Sequence, residues 1–256
     1  MVTSNCHRVT SRYLPPERHI LEGLIVFTVA TAIIHFFLPG NHDRNIQSAK
    51  TARLRPPPLL RKWTLLCFLL QLVYKAFGYP NKVLAMLLPC NVLWFMTMII
   101  SYAEVSPNVM NNIIQLLMTY IGLPILALLQ PDTSDCVLFG EKIFFFVHHS
   151  LLIYYPLYYI WSGYDIGNWK EHLKWISLGS AFFACFYICF VTPICVISGL
   201  NLNYLLHPSL DLVNGGISGQ WFRWLSLRNL ILLFSTMRTM LAFIGNLPIG
   251  MKGRQS

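Results

Sequence analysis

A thiol and an imidazole, Cys90 and His149, form the pair in this sequence best suited to chemistry. A neighbouring histidine can take a thiol proton and leave a thiolate nucleophile, the usual activation for acyl transfer. Cys90 lies eight residues past Lys82, where one apolar run opens, and His149 lies seven past Lys142, where another opens. One further run separates these two, so both cross in the same direction. At about 1.5 Å per residue, both side chains sit roughly 11 Å below the same membrane face. Pro89, just before Cys90, removes a backbone donor and frees hydrogen-bonding capacity nearby. The plain alternative is that Cys90 is a small hydrophobe in a helix interface. Equal depth does not establish contact, and spacing leaves both readings open.

Other polar residues at membrane depth are few: His35, Asn91, Asn111, Asn112, Gln115, His148 and Arg238, with Asn201 and Asn203 just past a run. Such residues are costly in a bilayer and are functional or helix-bridging by default. His35 is within a turn of its run's end and can reach the interface. Asn112 and Gln115 are expected to bond between helices. Arg238 is expected to extend its stem to the headgroups. The segment 201–223 opens on the face where Cys90 and His149 begin. It carries Asn201, Asn203, His207, Asp211, the Gly215-Gly216 pair, Trp221 and Arg223. A polar segment of this kind can hold a phospholipid headgroup, with Arg223 facing phosphate. Equally, Trp221 and Arg223 can be interfacial anchors.

The elements that position these residues follow from composition. Of 256 residues, 55% are hydrophobic and 11% charged, against roughly 25% charged in a soluble domain. Mean hydropathy is +0.53. That much charge does not cover an aqueous surface, so the expected fold is all-α, a polytopic transmembrane helix bundle of about seven spans. The apolar runs are 20–38, 59–77, 82–102, 109–130, 142–161, 173–200 and 225–244. Seven spans of about 20 residues use about 140 positions, leaving short loops. Residues 1–19 form a polar N-terminal segment, 20–245 a single bundle and 246–256 a short basic tail. The polar, basic start is not the pattern of a cleavable signal.

The net charge of +9 does not point to nucleic acid, because Arg44, Lys50, Arg53, Arg55, Arg61 and Lys62 cluster between two runs. This is the pattern of a loop held at an anionic cytoplasmic leaflet. Lys170, Lys174, Lys252 and Arg254 fall on the same side, whereas Arg8, Arg12 and Arg18 fall on the other. The seven cysteines are odd in number, lack a CxxC and mostly lie in apolar runs, which excludes a disulfide framework and a zinc site.

Several ordered blocks carry a family resemblance: Leu87-Leu88-Pro89-Cys90; Glu141-Lys142-Ile143 leading to His148-His149-Ser150 and then Pro156, Tyr158, Trp161 and Gly163; and Asn201-Leu202-Asn203, Pro208, Asp211 and Gly219-Gln220-Trp221-Phe222-Arg223. In these the chain resembles the transmembrane protein 164 family of multipass acyltransferases. The resemblance covers about 230 residues, from roughly Glu17 to the last run. It implies a phospholipid acyltransferase of the endoplasmic reticulum, a coenzyme-A-independent transacylase. Such an enzyme moves a polyunsaturated chain such as arachidonoyl from phosphatidylcholine to a lyso ether phosphatidylethanolamine. It further implies that Cys90 is the nucleophile and His149 the catalytic histidine; Asn91, His148, Asn201, Asn203, Asp211, Trp221 and Arg223 are the candidate substrate-side residues beside them. No metal or soluble cofactor is implied. The chain departs from the family pattern in having Asn91 where a histidine follows the nucleophile, and in a shorter stretch after Arg223. A membrane fatty-acid-ester hydrolase of related fold would use Thr where this chain has Cys90. A seven-span receptor would show an acidic-Arg-aromatic triplet ending the third run and an Asn-Pro-x-x-Tyr in the seventh, and neither is present. A transporter would show internal duplication.

Overall fold

The computed structural model describes residues 14–37, 55–77, 82–133, 136–208, 213–214, 216 and 219–246. These form nine α-helices joined by short 3₁₀ and π segments: α1 (Pro16–Phe37), α2 (Pro58–Phe77), α3 (Pro89–Tyr102), α4 (Pro107–Tyr120), α5 (Gly122–Leu129), α6 (Glu141–Trp161), α7 (Trp169–Ala184), α8 (Thr192–Ser198) and α9 (Phe222–Asn246). Five helical stretches among the described residues are long and apolar enough to cross a bilayer: α1, α4 with α5, α6, α7 through α8, and α9 with the turn before it. The chain is an all-α, multi-pass membrane protein.

The other two apolar runs are helical but less regular. Helix α2 has 20 residues and carries Arg61, Lys62 and Lys75. The run 82–102, expected as one helix, is divided. Lys82–Leu87 is a 3₁₀ segment and Leu88 is extended (φ −63°, ψ 148°), so α3 begins only at Pro89. The cause is local, because a proline ring disfavours the helical region for the residue before it.

Proline also shapes two longer spans. Pro124 has no N–H for the Tyr120 carbonyl, and the span Pro107–Leu129 turns at Ile121 between α4 and α5. Pro193 has none for the Cys189 carbonyl, and Cys185–Val191 widens into a π-helix between α7 and α8. Close crossings use small residues: a Cβ on Gly179 would lie 2.8 Å from Thr119 Cγ2, and one on Gly122 2.7 Å from Leu233 Cγ.

Helices α4 and α6 lie at the centre and α1 and α9 at the edge, where most apolar side chains are exposed as lipid-facing positions require. Helix α1 packs on α7 and the π segment, α2 on α3, and α9 on α7 and α4. Trp94 stacks on His148 and Ser101 bonds Tyr155 at 3.0 Å, the same offset of 54 residues, so α3 and α6 run parallel and in register. The Thr64 hydroxyl bonds Tyr155 as well, tying α2 to the pair.

Arg238 does not reach the headgroups. It is fully buried, and donates to the Gln115 carbonyl at 3.1 Å, to Gln115 Oε1 and to Thr119 Oγ1 at 2.9 Å. Its direction is set by the polar stripe on α4, which supplies acceptors that a snorkelling side chain would otherwise seek in headgroups. Gln115 thus bridges helices as expected. Near the same face Tyr164 donates to Asn111 Oδ1 at 2.5 Å, and burial pushes its hydroxyl pKa well up. His35 is exposed in the last turn of α1.

Candidate functional site

The break at Leu88 decides how Cys90 is presented. Pro89 occupies the first position of α3, where a missing N–H costs nothing and a fixed φ favours the helix. Cys90 is therefore the second residue, among the first-turn amides that an α-helix leaves without internal acceptors. Asn91 and Val92 both donate to the Leu88 carbonyl at 3.0 Å. The half-buried thiol of Cys90 carries no disulfide. Developing negative charge is favoured at this end of a helix.

His149 is held in one tautomer. Its Nδ1–H donates to the Phe145 carbonyl at 2.7 Å, with the ring 4.2 Å from that of Phe145. Nδ1 must be the donor because a carbonyl only accepts, so Nε2 keeps its lone pair as a base requires. In the register shared by α3 and α6, Cys90 stands level with Phe144. Side chains on a helix lean toward its N-terminus, and the bond to Phe145 draws the His149 ring back one turn. One residue of rise, about 1.5 Å, separates the levels of Phe144 and Phe145. In this register the backbone of Cys90 is thus five residues, about 7.5 Å of rise, from that of His149, and the bond to Phe145 turns the His149 ring back toward it.

His148 has another environment. Its ring stacks between Trp94, at 5.1 Å, and Phe144, at 5.8 Å. Its Nε2 is buried and has no hydrogen-bond partner among the described residues. Lys75, at the end of α2, is buried and pairs with Glu141 at 3.5 Å. Glu141 also accepts from the Val137 and Leu138 amides, at 3.0 and 3.2 Å, closing the turn into α6. Lys75 did not emerge from the sequence reading, although a lysine within an apolar run is a visible signal. Among the described residues no three His, Cys, Asp or Glu side chains converge as a metal would require.

The remaining candidates divide into internal fasteners and exposed groups. Asn91 is buried, and its amide oxygen accepts from Gln71 Nε2 at 2.9 Å while Nδ2 donates to the Ala85 carbonyl at 2.6 Å. Asn201 accepts from the Leu206 and His207 amides and donates to the His207 carbonyl, folding the segment that follows α8. Asn203 sits in the left-handed region at φ 50°. Asp211 lies outside the described residues. Trp221 is exposed, with the Arg18 guanidinium 4.5 Å over its ring.

Arg223, expected at the open face, is turned into the bundle. It is buried, donating to Glu22 Oε2 at 2.8 Å, His19 Nδ1 at 2.7 Å and the Leu205 carbonyl at 2.7 Å. The reason is Glu22, a carboxylate inside the first apolar run, which needs a charged partner at that depth. Arg18 supplies one at 3.0 Å on Oε1 and Arg223 a second on Oε2, pinning α9 and the preceding segment to α1.

The sequence profile described as the TMEM164 family matches residues 13–241. A protein of Dictyostelium discoideum named "Transmembrane protein 164 homolog" is 28% identical over 141 residues, covering 54% of this chain and 49% of that protein. The chain thus spans about half the length of this curated relative. No solved structure matches the chain.

Proposed function

Because the chain belongs to the TMEM164 family, we propose that it is a membrane phospholipid acyltransferase that works through a Cys90 acyl-thioester. The observation that carries the reading is the tautomer of His149. Nδ1–H is committed to the Phe145 carbonyl, and Nε2 is left as the base. A thiol in the first turn of a helix and a neutral imidazole on the parallel helix packed against it are the parts an acyl-transfer site needs.

In this mechanism His149 Nε2 takes the Cys90 proton and the sulfur attacks an ester carbonyl of the donor phospholipid. The carbonyl oxygen gains negative charge next to the first turn of α3. Collapse breaks the ester C–O bond, and His149 returns its proton to the leaving lysophospholipid oxygen. The acceptor hydroxyl then gives its proton to His149 and attacks the thioester. The C–S bond breaks and the thiolate recovers a proton from His149. The apolar bundle keeps water from the thioester, favouring transfer over hydrolysis. The proposed donor is phosphatidylcholine carrying a polyunsaturated chain such as arachidonoyl. The proposed acceptor is a lyso ether phosphatidylethanolamine, and the proposed location is the endoplasmic reticulum. The reaction as written uses neither coenzyme A nor a metal.

Lipid profiling of cells expressing wild type, Cys90→Ala or His149→Ala at equal levels tests this. Both variants are expected to lose arachidonoyl ether phosphatidylethanolamine while lipid classes hold constant. Full activity in Cys90→Ala ends the thioester mechanism. Release of free fatty acid in place of a new phospholipid points instead to a hydrolase.

A further inference from the structure

The span through α7 and α8 sends one hydroxyl to the turn that presents Cys90. Leu87 ends the 3₁₀ segment, and with Leu88 extended after it the first amides of α3 go to Leu88 rather than to the Leu87 carbonyl. The Asn91 amide, the i+4 donor that a continuous helix would offer Leu87, goes to Leu88 instead. The Tyr187 hydroxyl donates to the Leu87 carbonyl at 2.9 Å. The bond spans 100 residues of sequence and fixes the backbone three positions before the thiol.

Tyr187 is built to hold that place. It is buried in the π-helical segment, a form uncommon in proteins and frequent at functional sites. Its own carbonyl takes the Thr192 amide and the Thr192 hydroxyl, the latter at 2.9 Å. Its ring packs against Phe183 at 4.4 Å and Phe186 at 5.1 Å. Ring, backbone and hydroxyl are each held. A purely structural hydroxyl–carbonyl bond exists nearby for comparison: Tyr120 donates to the Gly179 carbonyl at 2.7 Å, joining α4 to α7.

We infer that Tyr187 is a positioning residue for the Cys90 nucleophile, acting through the Leu87 carbonyl to set the Leu88-Pro89-Cys90 turn. The inference rests on the acyl-transfer reading. Loss of the hydroxyl frees the turn, and a small misplacement of a nucleophile lowers the chemical step by on the order of 10- to 100-fold.

The test uses full-length protein in lipid nanodiscs, with Tyr187→Phe, Tyr120→Phe and Cys90→Ala beside wild type. Acyl transfer from phosphatidylcholine is resolved into kcat and KM, and alkylation of Cys90 by a small thiol reagent is followed peptide by peptide across pH. Tyr187→Phe is expected to lower kcat about 10-fold or more with KM held. It is also expected to change the alkylation rate of Cys90 and of no other cysteine. Tyr120→Phe is expected to leave both readouts within about twofold, because its bond lies outside the Cys90 turn. Unchanged kcat and unchanged Cys90 alkylation in Tyr187→Phe overturn the inference, as does an equal loss in Tyr120→Phe. Transfer that persists in Cys90→Ala overturns the underlying reading instead, and the alkylation comparison still decides whether Tyr187 sets the Cys90 turn.

Discussion

Arg238 offers a prediction whose sign opposes intuition. Its guanidinium is fully buried and held by the Gln115 carbonyl, Gln115 Oε1 and Thr119 Oγ1. Gln115→Leu keeps the charge but removes the amide acceptor. A hydrogen bond to a charged group contributes about 1.5–3 kcal/mol, and a donor left buried without a partner loses comparable energy. We therefore expect Gln115→Leu to cost about 3 kcal/mol, on the order of 100-fold in the folded-to-unfolded ratio. Arg238→Met removes the charge and with it the desolvation penalty, so it is expected to cost less, about 1 kcal/mol. The double variant places two apolar side chains together and is expected to recover most of the Gln115→Leu loss. The assay is thermal unfolding in detergent, read by a thiol-reactive dye at the buried cysteines Cys67, Cys136 and Cys195. The expected fall in midpoint for Gln115→Leu is roughly 6–12 °C. If Arg238→Met proves the more damaging single change, or the two losses simply add, the reasoning about this buried cation is wrong.

Two further outcomes follow from the same structure. Glu22→Leu leaves Arg223 buried with only His19 and the Leu205 carbonyl and is expected to cost about 3–5 kcal/mol in the same assay; a loss below about 1 kcal/mol, the range of exposed pairs, contradicts the burial of this pair. His148→Phe preserves the stack with Trp94 and Phe144 and removes an unpartnered nitrogen, so transferase activity is expected within about threefold of wild type, whereas His149→Phe is expected to lose about 100-fold or more. Equal losses in the two histidine variants contradict the assignment of the base.

The helical bundle was legible because hydropathy runs of about 20 residues have one structural outcome in lipid. The parallel course of the helices bearing Cys90 and His149 was legible for a related reason, but their register was not: the run 82–102 is divided at Leu88, and the observed offset sets Cys90 level with Phe144 rather than His149. What counting misses is anything decided by a distant partner. Arg223 lies 201 residues from Glu22, and the pattern around it reads as a headgroup anchor until α1 is seen beside it. Arg238 lies 123 residues from Gln115, and its distance from the helix end does not disclose which way its side chain turns. The tautomer of His149 depends on a backbone carbonyl, which no residue type announces. Pro89 and Pro193 are plain in the sequence as prolines inside apolar runs. Their consequences, an extended Leu88 and a π-helical turn, depend on which neighbours satisfy the freed groups.

The most direct measurement is mass spectrometry of the Cys90 peptide after incubation with phosphatidylcholine carrying a polyunsaturated chain, without coenzyme A. The account predicts an acyl adduct on Cys90 that hydroxylamine removes and that a lyso ether phosphatidylethanolamine consumes. It also predicts no adduct in Cys90→Ala and little in His149→Ala. Transfer of the chain at the wild-type rate with Cys90 unmodified throughout would contradict it.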